Sequence, residues 1–284
     1  MLLSMVGLTL ALLAMPDTTV PASRGQRLDV ELFGGSVTVR SWGRDAVRIE
    51  GAADDQQRLT LTSNASRLGV EVTGRHGPAH GVDVVITAPA WMALNVSGVE
   101  LDLTVEGCKC AVTAETVGGD IVVRGAEGVV TLSSVEGGIT VAGVAGTVRA
   151  NSVNDDVVVR GVSGDVSVEA VNGDVLLEQL RSDNVSASSV NGDITFDGEV
   201  RAKGRYALSS HQGDVTATVP AGAGATVRVN TFNGDFTTDF PVTLSGDAGR
   251  RKLTFALGSG SAAIDLESFS GDIRLRRPGA RPDR

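Results

Sequence analysis

Cysteine, histidine and aromatic residues are scarce in this chain. Its 284 residues include two cysteines, three histidines and one tyrosine, and aromatic side chains make up only 4%. Two cysteines cannot build a disulfide-dense scaffold. Three histidines and one tyrosine leave few of the usual acid–base groups for catalysis. Positive charge is also short, with 25 basic against 34 acidic residues and a net charge of −9, which argues against a nucleic-acid partner. No helical periodicity appears beyond the first residues, and no second long apolar run follows the first. What is plentiful is small and apolar. The chain is 42% hydrophobic and 21% charged with 36 glycines, a composition that builds a core rather than a disordered polymer.

Residues 2–15 form an apolar run of 14, followed by Pro16, Asp17 and the small-residue stretch Val20-Pro21-Ala22. The run is shorter than the ~20 residues of a spanning helix and suits the core of a secretory signal. Val20 and Ala22 fit the −3 and −1 positions, which places cleavage after Ala22 and the signal at 1–22. The alternative is a buried first strand or helix, since the positive n-region is missing. No cysteine follows the run, which argues against a lipid anchor, and the mature chain is expected not to span a membrane.

Valines at 99, 117, 135, 153 and 171 recur every 18 residues, and Val190 follows after 19. Each opens the same motif. Val117-Gly-Gly-Asp120, Val153-Asn-Asp-Asp156, Val171-Asn-Gly-Asp174 and Val190-Asn-Gly-Asp193 fall into register, and the series continues as His211-Gln-Gly-Asp214, Phe232-Asn-Gly-Asp235 and Phe269-Ser-Gly-Asp272. Within the unit from Val153, apolar residues stand at Val153, Val157, Val159, Val162, Val166 and Val168, so a nine-residue motif is used twice. The period-2 pairs Val157/Val159 and Val166/Val168 mark strands with one buried face. Gly125, Gly143 and Gly161, then Gly128, Gly146 and Gly164, punctuate the halves where the chain turns sharply.

A constant 18-residue offset puts like residues in columns, as in a parallel β-solenoid whose coils make a core only by stacking. The fold class is therefore all-β, a parallel β-solenoid or β-helix with a flattened, two-faced coil. About ten coils at roughly 4.8 Å each give a rod on the order of 50 Å long. Residues 23–98 read as a β-rich cap of hairpins or irregular coils, and 99–275 as the repeats. The later coils carry extra residues around Glu199–Lys203 and Pro220–Gly224. The 37 residues from Phe232 to Ser268 read as two coils with a loop near 245–251. A basic tail, 276–284, reads as disordered.

Several residues invite a chemical reading. Cys108-Lys-Cys110 has the look of a metal or redox pair, but Cys108 shares a column with Ala126, Val144, Val162 and Leu180, and Cys110 shares one with the turn glycines. One is then a small core residue and the other a turn residue. Asp102, Asp120, Asp156, Asp174, Asp193, Asp214, Asp235 and Asp272 form one ladder. Stacked carboxylates repel, which raises the question of calcium. The calcium nonapeptide puts glycines at alternate places before its Asp, however, whereas Asn-Gly-Asp suits a turn in which Asn and Asp cap local amides and Gly supplies positive φ. The favoured reading is structural, with no metal and no cofactor. Asn154, Asn172, Asn191 and Asn233 form a second ladder, and Ser134, Ser152, Ser189, Ser210 and Ser268 a third, both suited to hydrogen bonding along the stack. Val122, Thr140, Val158, Leu176, Thr195 and Thr216 make a partly apolar outward row, a candidate binding stripe. His76 and His80 stand in a glycine-rich stretch with no ligand or nucleophile spacing around them. A glycan-cleaving β-helix needs clustered carboxylates with Arg or Lys in a groove, and the outward rows are too small and repetitive for that.

Taken together, Gly35–Glu50 (GSVTVRSWGRDAVRIE), Ala88-Pro-Ala90 before Leu94, the serial Asn-Gly-Asp motifs and the closing Ser270-Gly-Asp-Ile273 resemble the "putative adhesin" domain-of-unknown-function family of exported bacterial β-solenoid proteins. The resemblance covers most of the chain after the signal. It departs at Gly138, where Asp is expected, and at His211, where Val is. It implies a solenoid at the cell envelope and supplies no catalytic residues. The expected function is that of an exported, non-enzymatic structural or adhesive surface module, in the periplasm, on the cell surface or secreted. Its partner would be a wall or surface polymer. The alternatives are a sensory or accessory domain that binds an envelope protein and, third, a glycan-active enzyme.

Overall fold

A computed structural model describes residues 8–13, 17–52, 57–74, 77–78, 81–242 and 252–279. Strand is the only regular secondary structure among them, and no helix is long and apolar enough to cross a membrane. The chain divides into two compact units, 1–137 and 138–284.

In the first unit the strand Arg27–Trp42 runs a whole coil and pairs in parallel with Leu94–Glu106, from Leu28 opposite Leu94 to Arg40 opposite Glu106. Leu94–Glu106 then carries Val112–Gly118 and Ile121–Arg124 as the two halves of the next coil, each offset by 18 residues. On its other side Arg27–Trp42 is covered by Arg67–Gly74 along its first half and Val82–Pro89 along its second, both parallel. Antiparallel strands then close both halves. Gln57–Ser63 lies on Arg67–Gly74, and Ala46–Ala52 on Val82–Pro89. The stretch read as a secretory signal contains two strands: Leu8–Leu13 pairs with Gln57–Ser63, and Thr18–Pro21 pairs with Ala46–Ala52. Ala22 is buried, and its amide donates to the Asp45 carbonyl.

In the second unit the two halves of each coil stack in separate parallel ribbons. One runs Ala145–Ser152, Val166–Ala170, Asn184–Asn191, Arg205–Gln212. The other runs Ile139–Ala142, Val157–Arg160, Val175–Leu180, Ile194–Gly198, Val215–Thr218. The core lies between them. Val157, Val159, Val166 and Val168 are all at most 2% exposed, because period-2 alternation turns each toward the opposite ribbon, and Val162, in the turn between the two strands, is buried with them. Columns trade size to keep the interior filled. Where Val159 and Leu177 give way to Phe196, the next coil brings Tyr206 beside it, with ring centroids 5.6 Å apart. The Tyr206 hydroxyl donates to the carbonyls of Ser182 and Glu199, and the Arg201 amide donates to it. The extra residues at 199–203 and 220–224 are turns, closed by Gly204 N–H to Arg201 C=O and Ala223 N–H to Pro220 C=O.

The stacking order departs from chain order near the end. Reading 232–268 as two successive coils is incorrect. Ala262–Ser270 pairs with Arg205–Gln212 on one side and Ala225–Asn233 on the other, so the last coil in sequence lies inside the one before it. Ile273–Arg276 likewise sits between Val215–Thr218 and Phe236–Thr238. Lys252–Leu257 runs antiparallel on Ala225–Asn233 and ends that ribbon. An antiparallel last strand breaks the repeat that would otherwise template another coil. The loop placed at 245–251, His76 and His80, and the last five residues of the tail lie outside the described residues.

Candidate functional surface

Each turn between the two halves of a coil carries the residues that the sequence singles out. The aspartates do form a ladder, but not by capping their own turns. Asp156 Oδ1 accepts the Asp174 amide one coil on, Asp174 Oδ1 the Asp193 amide, and Asp193 Oδ1 the Asp214 amide, at 2.7–2.8 Å. The same bond links Asp214 to Asp272 and Asp272 to Asp235, following the rearranged stacking order, and in the first unit Asp102 to Asp120. A carboxylate that accepts a backbone N–H bridges adjacent coils with a charge-assisted bond, which offsets the repulsion along the column. Arg274 adds to this by pairing with Asp214 and Asp272. Burial acts to raise the Asp214 carboxyl, but the Arg274 guanidinium and the Asp272 amide outweigh it and hold its pKa below the usual carboxylate value.

The asparagines hydrogen-bond side chain to side chain. Asn172 donates to Asn154 and Asn191 to Asn172, at 2.8–2.9 Å. The serines face inward. Ser189, Ser210 and Ser268 donate to the carbonyls of Gly173, Gly192 and Gly213, at 2.9–3.1 Å. Among the described residues no group of three His, Cys, Asp or Glu side chains is placed to hold a metal.

The expected reason for the motif glycine, positive φ, holds at Gly119 (93°), Gly137 (157°) and Gly213 (155°), but not in the other coils. At Gly173, Gly192, Gly234 and Gly271 φ lies outside the left-handed region. Instead the coil beneath comes so close that an added Cβ at Gly173 would lie 2.5 Å from the Asp155 carbonyl carbon. The glycines that open and close the other turn do need positive φ: Gly125 (69°), Gly143 (66°) and Gly161 (63°), with Gly128, Gly146 and Gly164 alike.

Cys108 and Cys110 occupy buried positions, Cys108 in the inward column and Cys110 at the turn. They are not a separate core residue and turn residue, as their columns suggest, but are joined by a disulfide across Lys109. With a single residue between them, the spacing itself was the signal.

The proposed stripe of Val122, Thr140, Val158, Leu176 and Thr195 is only half exposed. Apart from Val129, the exposed large apolar side chains among the described residues are those that open each motif: Val99, Val117 and Val135 in the first unit, and Val153, Val171, Val190, Phe269 and Phe232 in the second, at 37–48%. In the second unit this column includes His211, whose ring stacks on Phe269, which stacks on Phe232, each at 4.8 Å between centroids. Period-2 alternation carries the signal. Counted on from Val166 and Val168, it turns Ala170 inward and Val171 outward.

Parallel coils, in-register polar ladders and antiparallel closing strands define a β-solenoid. Residues 26–276 match the family model described as Toastrack DUF4097, and the chain belongs to that family. Among solved structures, a putative cell adhesion protein from Clostridium sporogenes ATCC 15579 shares 8% identity at a TM-score of 0.27, over 92% of this chain and 99% of that one. A putative adhesin from Bacteroides fragilis NCTC 9343 shares 12% at a TM-score of 0.37, over 92% of this chain and 96% of that one. None of the curated proteins compared with the chain matches it.

Proposed function

We propose that this protein is an exported, non-enzymatic structural or adhesive surface module that presents flat, repeated faces to a wall or surface polymer at the cell envelope. One observation carries the reading: the residues with chemical potential are bonded to the stack itself. Aspartate carboxylates hold backbone amides, Asn154, Asn172 and Asn191 hold one another, and Ser189, Ser210 and Ser268 hold glycine carbonyls. A hydrolytic site would instead hold carboxylates apart and free on either side of a substrate. Affinity would come from many weak, equivalent contacts along the repeats rather than from one deep pocket.

A second reading, an accessory domain for one envelope protein, is favoured by the exposed apolar column, since such patches mark protein contacts. Retention on envelope fractions separates them. Broad binding to purified wall polymer supports adhesion, whereas one protein captured in a fixed ratio supports the accessory role. Release of reducing sugar from any of these polymers would refute both. The export reading is tested by fractionating the producing cell and sequencing the amino terminus of the product.

A further inference from the structure

We propose that the outer face carrying the column Val153, Val171, Val190, His211, Phe269 and Phe232 is a self-association surface, and that its occupant is a second copy of this chain. Six strands stack in register beneath it, from Ala145–Ser152 to Ala225–Asn233, so the column is continuous. Its five large apolar side chains remain 37–46% exposed, although positions three residues earlier, such as Val168 and Leu208, are buried. Stacked rings lie at one end, and β-branched side chains at the other.

The polar groups bordering the column say what kind of partner fits. The Asn172 and Asn191 amides are spent on their neighbours, Ser189 and Ser210 on glycine carbonyls, and one oxygen of each aspartate on a backbone amide. Polar groups paired from within lose little on drying, so the turn side of the column suits a desolvated protein face, while the exposed Glu169 on its other side belongs to a polar rim. A hydroxyl-rich polymer would find little free hydrogen-bonding capacity along this one column, which leaves polymer contacts to the other repeated faces. A second copy also carries the same repeat in the same phase, so every rung finds its equivalent across a two-fold axis.

Charge selects the orientation. Beyond the column lies the aspartate row, Asp156, Asp174 and Asp193, and at the opposite margin of the face stand Arg149 and the ion pair of Arg228 with Asp265. An axis lying across the coils would bring the two aspartate rows together. An axis running along the stack keeps the two rows at opposite edges of the interface, each over the other copy's far margin where Arg149 stands, and sets Val171 near Val171. Three outward columns about 7 Å apart on strands about 4.8 Å apart span roughly 600 Å² per copy. The pair then buries about 1,200 Å², above the ~1,000 Å² that a specific interface needs.

Sedimentation equilibrium of the full chain tests this without reference to where the protein resides or what else it binds. The expected mass is twice that of one chain. Val171→Lys and Val190→Lys, both at exposed positions, are expected to halve it while leaving the circular dichroism unchanged. Thr195→Lys, on the other ribbon's outer face, is expected to keep the double mass. A wild-type chain that stays monomeric at its highest attainable concentration overturns the proposal, as does a double mass in both valine variants or a halved mass in Thr195→Lys. A monomeric wild type whose retention on wall polymer is abolished by Val171→Lys would assign the column to the polymer and refute self-association.

Discussion

Replacing Gly173 with alanine distinguishes two reasons for a glycine in the repeat. If the residue were there for backbone freedom alone, alanine would be accepted, because its φ lies outside the left-handed region. Stability would then rise by about 0.4–1 kcal/mol through the stiffer unfolded chain. The stack predicts the opposite sign. The added Cβ meets the Asp155 carbonyl, lying 2.5 Å from its carbon and 3.0 Å from the Asp156 nitrogen. These are backbone atoms held by the coil below, so no side chain can swing aside. Overpacking of a rigid site costs about 1–3 kcal/mol, and a backbone obstacle puts this one near 3. For a domain above 150 residues that lowers Tm by roughly 6–12 °C. Gly118→Ala is the control. It stands one place earlier in its motif, where asparagine stands in other coils, and its added Cβ finds only ordinary contacts at 3.6 and 3.7 Å. Thermal and urea melts of both variants, read by far-ultraviolet circular dichroism, give the answer. An unchanged or raised Tm for Gly173→Ala, or equal losses in the two variants, would refute the close-approach argument.

Val157→Asp should unfold or aggregate the protein, costing more than ~4 kcal/mol by placing an unpaired charge in a column that is fully buried, whereas Thr131→Asp on an outer face should stay within ~0.5 kcal/mol; the urea midpoints of the two measure the difference. Asp174→Asn keeps an oxygen for the Asp193 amide and should cost little, while Asp174→Ala should lose about 1 kcal/mol. A calcium chelator should leave both melts unmoved, and a drop of many degrees would restore a metal to the ladder. The lowered pKa of Asp214 contributes stability that is present above the unfolded carboxylate value near ~3.9 and is lost as pH falls through the depressed folded value. Arg274→Met removes the partner that lowers it, so stability at pH 7 should fall and its decline below about pH 4 should become shallower; identical acid limbs in a pH series of urea melts would count against the pairing.

Much of the fold was legible because a solenoid writes its contacts into its period. Neighbours in space stand 18 or 19 residues apart, so aligning the chain on itself is enough to identify Val157, Val175 and Ile194, or Val166 and Val185, as partners. The polar ladders followed from the same alignment. The outward turn of the first column was also within reach, since Val171 is three residues from Val168 and alternation puts odd steps on opposite faces.

The direction of the ladder bonds was not. A carboxylate on an Asn-Gly-Asp turn has its own backbone and the next coil's amide within reach, and only the close packing of the coils decides for the latter. That same approach, rather than φ, decides why Gly173 must lack a side chain. The order of the last coils was also left to tertiary structure. His211-Gln-Gly-Asp214, Phe269-Ser-Gly-Asp272 and Phe232-Asn-Gly-Asp235 carry equivalent chemistry, so sequence alone cannot rank them as neighbours. Lys252–Leu257 pairs antiparallel outside Ala225–Asn233, and the chain returns through Ala262–Ser270 on the inner side. Periodicity determines which residues are equivalent; only closure of the stack determines which equivalents touch, because identical rungs bind one another without regard to their order along the chain.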